Sequence, residues 1–112
     1  MFTQFGNFTV PIYQAIQNLK ASLPLSKQGA AAFLNGYTPK IQEQLINAIY
    51  IGREHIHETQ LREDVDISCN YVSHIPQEDY PRVIAEKGNN SAKYLDKLEE
   101  CAHTSSFDLN DL

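Results

Sequence analysis

Glu54-His55-Ile56-His57-Glu58 places four metal-capable side chains in five consecutive positions. Imidazole nitrogens bind zinc and similar ions, while carboxylates bind hard cations or move protons. The spacing works against the histidines. On a helix, residues i and i+2 point to different sides, so His55 and His57 share a metal only on extended backbone. A helical two-histidine zinc site wants i, i+4 spacing, and no histidine pair in the chain has it. Glu54 and Glu58 do have it, which suits a hard cation or a di-metal carboxylate bundle. Such a bundle takes a Glu-x-x-His motif from each of two helices. Taken as a lone copy, Glu54–His57 reads as solvated residues at a helix junction, with no metal and no cofactor.

Arg53 stands between an apolar helix and this polar stretch. An arginine there can return to the last helix carbonyls, pair with Glu54 or Asp64, or receive an anionic ligand. The chain's cysteines offer less. Cys69 with His74 and Cys101 with His103 stand at i, i+5 and i, i+2, offsets that do not align side chains on a helix, and their neighbours are acidic rather than electropositive. Two cysteines are too few for a disulfide framework, and both read as buried reduced thiols. No GxSxG, phosphate loop or dinucleotide fingerprint occurs, the five glycines being scattered. The expectation is a protein without catalytic residues.

The elements that would position these groups follow from period and caps. Thr9 and Pro11 open a helix over 11–22, with Ile12, Ala15, Ile16, Leu19 and Leu23 on one stripe and Pro24 ending it. Ser26 caps a short second helix that ends at Gly36 in the left-handed region. Thr38-Pro39 repeats the cap-then-proline signal. The helix it starts is apolar around much of its circumference, through Ile41, Leu45, Ile46, Ala48, Ile49, Tyr50 and Ile51, and so should be the central one. Leu61, Val65, Cys69 and Val72 predict a fourth helix over 58–74, supported by the i, i+4 pairs Glu58–Arg62 and Arg62–Asp66. Asp79 caps a short fifth helix ending at Gly88, and Ser91 caps a sixth carrying Leu95, Leu98 and Cys101. Period-two alternation is absent. The expected fold is all-α, a compact orthogonal or irregular bundle of about five to six short helices in a single domain over 1–112. An aromatic N-terminal segment covers 1–8, and a frayed acidic tail covers 104–112.

The 112 residues suffice for one core. A net charge of −5 conceals an asymmetry: residues 1–50 carry +2 and residues 51–112 carry −7. Acidity with only nine basic residues argues against nucleic acid or an anionic membrane as partner. No apolar run approaches the ~18 residues of a membrane span, and Met1–Phe8 has no basic-then-apolar signal pattern, so the expected location is cytoplasmic.

Ala32-Phe33-Leu34-Asn35-Gly36-Tyr37, the run from Glu43 to Glu54 and the later Ser91-Ala92-Lys93-Tyr94-Leu95 resemble a small bacterial family of unknown function. In that family a short helix and polar turn precede an apolar helix ending in Ile-Gly-Arg, followed by an acidic segment and a Thr-Ala-x-Tyr-Leu stretch. This chain departs from it in its longer spacing and its lack of tryptophan. The resemblance implies an all-helical bacterial protein and draws attention to Gly52 and Arg53, but it supplies no chemistry.

Six tyrosines, five phenylalanines and the aliphatic stripes exceed what short helices bury. The reading that follows is a protein-interaction module, self-association into a homodimer included, with Phe2, Phe5, Phe8, Tyr37 and Tyr50 at the interface. A different class is a small-ligand or metal-binding protein centred on Arg53, Glu54, His55, His57 and Glu58. A third is an acidic inhibitor or regulator of a basic partner.

Overall fold

Side-chain oxygens start two of the helices where the sequence places them. Ser26 Oγ accepts the Gly29 N–H at 3.0 Å and opens α2 (Lys27–Leu34). Thr38 Oγ1 accepts the Ile41 N–H at 3.3 Å and opens α3 (Pro39–Glu54), whose first residue is a proline with no N–H to satisfy. The computed structural model describes residues 11–112. The other helices are α1 (Pro11–Ser22), α4 (Tyr80–Lys87) and α5 (Asn90–Thr104), with 3-10 turns at Cys69–Val72, Gln77–Asp79 and Leu109–Asp111. No strand occurs among the described residues, and the fold is all-α. The Thr9 cap and the 1–8 segment lie outside them.

α3 is the centre, as its all-round apolar pattern predicts. Leu45, Ile46, Ile49 and Ile51 are fully buried, with α5 along one side, α1 across another and α4 and the Cys69–Val72 turn completing the enclosure. α2 packs on α4 at one end. The Cα radius of gyration is 13.5 Å, close to the ~13 Å that chain length alone predicts for a packed domain. No helix among the described residues is long and apolar enough to cross a membrane.

Four local expectations are corrected. The helix expected over 58–74 does not form; only Cys69–Val72 makes a 3-10 turn there. Short polar side chains win locally: Asp66 Oδ1 accepts both the Ser68 N–H at 3.0 Å and the Ser68 hydroxyl at 2.7 Å, a turn that competes with helix. The pairs predicted for Arg62 at Glu58 and Asp66 are replaced by a two-point contact to Asp64, at 3.0 and 2.6 Å, and a longer one to Glu54 at 3.6 Å. Ser91 does not cap the last helix. It lies inside α5, fully buried, and Asn89 precedes the helix without a side-chain bond. Gly36 does not take a left-handed φ, since among the described glycines Gly88 alone does, at 51°.

The tail is not frayed. α5 ends with Ser106 at φ 56°, where the Phe107 N–H bonds Ala102 O at 2.8 Å and turns the chain back on the helix. Leu109 and Leu112 are then buried to 1% and 3% exposure. A residue series of 107, 109 and 112 has no helical period because the tail docks by single side chains from a 3-10 turn.

Candidate functional site

The C-terminal end of α3 carries the residues singled out as chemistry, and the fold disperses them. His55 is fully buried. Its Nδ1 lies 2.8 Å from Ile51 O, and its Nε2 accepts the Arg62 N–H at 2.9 Å. The first contact requires Nδ1–H and the second a bare Nε2, so the ring is held as one neutral tautomer by backbone on both sides. Neither nitrogen is open to a ligand. His57 is exposed on the following turn. Glu58 enters through its backbone carbonyl, which accepts Lys97 Nζ at 2.8 Å and the Cys101 thiol at 3.7 Å.

The chain also holds a second Glu-x-x-His, Glu100–His103, which the reading of Glu54–His57 as a lone copy passes over. Motif counting along α5 finds it. Glu100 is spent on Lys97 at 3.0 Å, and no group of three or more His, Cys, Asp or Glu side chains among the described residues is arranged to hold a metal.

Arg53, Glu54, Tyr50 and Tyr71 do come together, around a cleft of about 330 Å³. Glu54 is fixed there by the Tyr71 hydroxyl, which donates to Oε1 at 2.7 Å, and by Arg62. That hydrogen bond, followed by burial, pushes the Tyr71 phenol above its ordinary range. Arg62 in turn holds the Asp64 carboxyl below the usual carboxylate range through their paired hydrogen bonds. Lys87 lies 4.6 Å from the centre of the Tyr50 ring, a cation–π contact. Burial and then the charge of Arg53 lower its ammonium from the ordinary lysine value. Arg53 itself makes neither the helix-carbonyl return nor the carboxylate pair open to it in the sequence: its exposed guanidinium has no hydrogen-bond or ion-pair partner among the described residues.

The apolar surplus is mostly absorbed. Among the described residues Ile56, at 36%, is the exposed large hydrophobic side chain. Tyr37 is half-buried, its hydroxyl accepting from Asn18 at 2.9 Å and its ring 5.1 Å from that of Phe33. Tyr50 packs against the core as well. Phe2, Phe5 and Phe8 lie outside the described residues. The thiols are both free. Burial, then Glu43, pushes Cys69 up to about 11, and burial raises Cys101.

Sequence reasoning missed three buried amides that fasten loops to α3. Gln42 Nε2 donates to Leu34 O and Tyr37 O, Gln44 Nε2 to Asn110 O and Leu112 O, and Asn47 Nδ2 to Ile67 O at 2.8 Å. Their signal was present as amides inside an otherwise apolar run, since a helix apolar all round leaves any polar residue to find a buried partner.

Compared with family models, curated proteins and solved structures, the chain finds no match.

Proposed function

We propose that this chain is a non-catalytic binding protein, and that a partner protein docks on the surface of Tyr50, Arg53, Ile56 and Tyr71. The observation that carries the reading is the Arg53 guanidinium, unpaired beside two tyrosines and three residues before the exposed Ile56. Arginine and tyrosine dominate the energetics of protein interfaces, where a desolvated apolar contact sits inside a polar rim. The partner this suits presents a carboxylate to Arg53 and an apolar side chain to Ile56; a second copy of the chain falls within that description. The protonated thiols support the non-catalytic half of the reading, because a nucleophile needs thiolate at neutral pH.

A photo-crosslinking residue placed at Ile56, and as a control at the exposed Lys27, tests this in the source cell. The expected result is one discrete protein adduct from position 56, none from position 27, and loss of the adduct in Arg53→Ala. Equal labelling from both positions, or none from 56, overturns it.

The rim of the cleft supports a second reading, a small anionic ligand held between Arg53, which lines it, and Lys87, which lies over the Tyr50 ring. Lys87 is lowered partly by Arg53's like charge, a repulsion that a bound anion relieves. Titration with phosphate and citrate, followed by amide shifts at Arg53 and Lys87, distinguishes it: no saturable shift removes the small-ligand reading and leaves the protein partner.

A further inference from the structure

Arg53 and Glu54 are opposite charges side by side at the end of α3. Within a helix, neighbours at i and i+1 do not face each other. Here the helix ends, and both side chains line one cleft. The guanidinium nonetheless has no partner among the described residues, because the carboxylate is spent elsewhere. Its Oε1 accepts the Tyr71 hydroxyl at 2.7 Å, and its Oε2 faces Arg62 at 3.6 Å.

Those two contacts are unequal. Arg62 gives its close two-point contact to Asp64, at 3.0 and 2.6 Å, and meets Glu54 only at ion-pair distance. The Tyr71 hydroxyl makes the short bond, and a hydrogen bond to an ionised acceptor is about twice as strong as a neutral one. Tyr71 belongs to the Cys69–Val72 turn, which packs on α3. A neighbouring element, not the helix, therefore decides where the carboxylate points. Arg53 is near enough to be felt there. The Tyr71 phenol is raised first by its bond to Glu54 and then by burial, and the charge of Arg53 lowers it in part. Without that hydroxyl, Oε1 loses its partner while sharing a cleft with Arg53.

We propose that Tyr71 is a positioning residue for the docking surface: by holding Glu54 it keeps Arg53 free for a partner's carboxylate, a role that rests on the docking reading above. Phenylglyoxal, which condenses with free guanidinium groups, tests it on the full chain, with modification read by peptide mass spectrometry. Arg82, paired with Asp79 and Glu86, is the internal reference. In Tyr71→Phe the Arg53 rate relative to Arg82 should fall about two- to fivefold, the protection an exposed ion pair gives. Tyr71→Phe/Glu54→Gln should restore it, since an amide carries no charge to pair with the guanidinium. Glu54→Gln alone should leave the parent rate unmoved. An unslowed Arg53 in folded Tyr71→Phe overturns the role, and so does slowing that persists in the double variant. A faster Arg53 in Glu54→Gln overturns it as well, because the carboxylate then already screens the arginine in the parent. That substitution, at an exposed side chain, decides the matter even if Tyr71→Phe does not fold.

None of these rates requires a partner. The crosslink from position 56 tests the docking reading separately, and its absence in the parent removes that reading alone. An adduct lost in Tyr71→Phe and recovered in the double variant ties Tyr71 to docking through Glu54. An adduct that Tyr71→Phe leaves at full yield overturns that tie.

Discussion

Gly52 lies directly against the backbone carbonyl of Tyr94, where α3 crosses α5. A β-carbon built on Gly52 would overlap that carbonyl. The contact is backbone to backbone, so no side-chain rotation relieves it. Gly52→Ala is therefore expected to destabilise the protein by about 3 kcal/mol, the upper end of overpacking costs. Gly36→Ala is the control: its β-carbon would meet only Phe33 O at an ordinary 3.5 Å, and lost unfolded-state freedom predicts a gain of about 0.5 kcal/mol. Urea midpoints of the two variants check both signs.

Ser91 gives the opposite kind of prediction. Its hydroxyl is buried in α5 with no hydrogen-bond partner among the described residues. Alanine removes an unsatisfied polar group and is the better helix former. Ser91→Ala should raise stability by about 1 kcal/mol, read as a shift in urea midpoint at unchanged slope.

These two residues show which features a single sequence makes legible. Ser26 and Thr38 act on N–H groups three residues away, so their roles as caps can be read locally. The sequence around Gly52 admits two roles, ending a helix or letting a neighbour approach, and nothing local decides between them because Tyr94 is far along the chain. The stripe Leu61, Val65, Cys69 and Val72 is a true pattern of inward-facing residues that carries the wrong period. Val72 lies in the core, Leu61 and Val65 pack against it and Cys69 is half-buried, but from a chain held by turns at Asp66 and Ser68 and by ties from His55, Asn47 and Ser105. Burial alone does not identify helix when polar side chains satisfy the backbone instead. The candidate site divides the same way. Of the residues named for ligand binding, Arg53 and Glu54 line one cleft, whereas the structural role of His55 depends on a backbone N–H seven residues away.

His55 is expected to matter for folding and not for metal binding. His55→Ala removes the acceptor for the Arg62 N–H and leaves a cavity beside α3, a combined cost of about 2–4 kcal/mol. The specific signature is local: the Arg62 amide should exchange with solvent much faster than in the parent, while amides in the middle of α1 change little. Zinc in micromolar excess should leave the parent's thermal midpoint unmoved, since both ring nitrogens are already engaged.

Cys69 is expected to contribute to a loss of stability at alkaline pH. Its thiol is raised from 9.0 to about 11 by burial, with Glu43 adding to the effect. A group whose folded value lies above its unfolded value contributes stability that is complete below the unfolded value and lost as pH rises toward the folded one. Stability should thus fall between about pH 9 and pH 11. Cys69→Ala should flatten that limb in part, the remainder belonging to Cys101, also raised by burial. Above pH 10 the raised phenols of Tyr71 and Tyr80 extend the loss. Urea unfolding at half-unit pH steps measures the limb; parallel curves for parent and variant would exclude Cys69 from it.

Ser106 and Leu109 together hold the tail on the bundle, and they should respond in opposite directions. Ser106 occupies the left-handed position after α5, with φ 56°, a conformation that costs an L-residue about 1 kcal/mol and glycine nothing. Ser106→Gly keeps the Phe107-to-Ala102 bond and is expected to stabilise the protein by about 0.5–1 kcal/mol. Leu109 is anchored by its own N–H on the Tyr13 hydroxyl and is almost wholly buried. Truncation to alanine empties that site and should cost about 3 kcal/mol. If the tail were a frayed appendage, both substitutions would be silent. A stabilised Ser106→Gly beside a destabilised Leu109→Ala therefore identifies residues 105–112 as part of the cooperative fold.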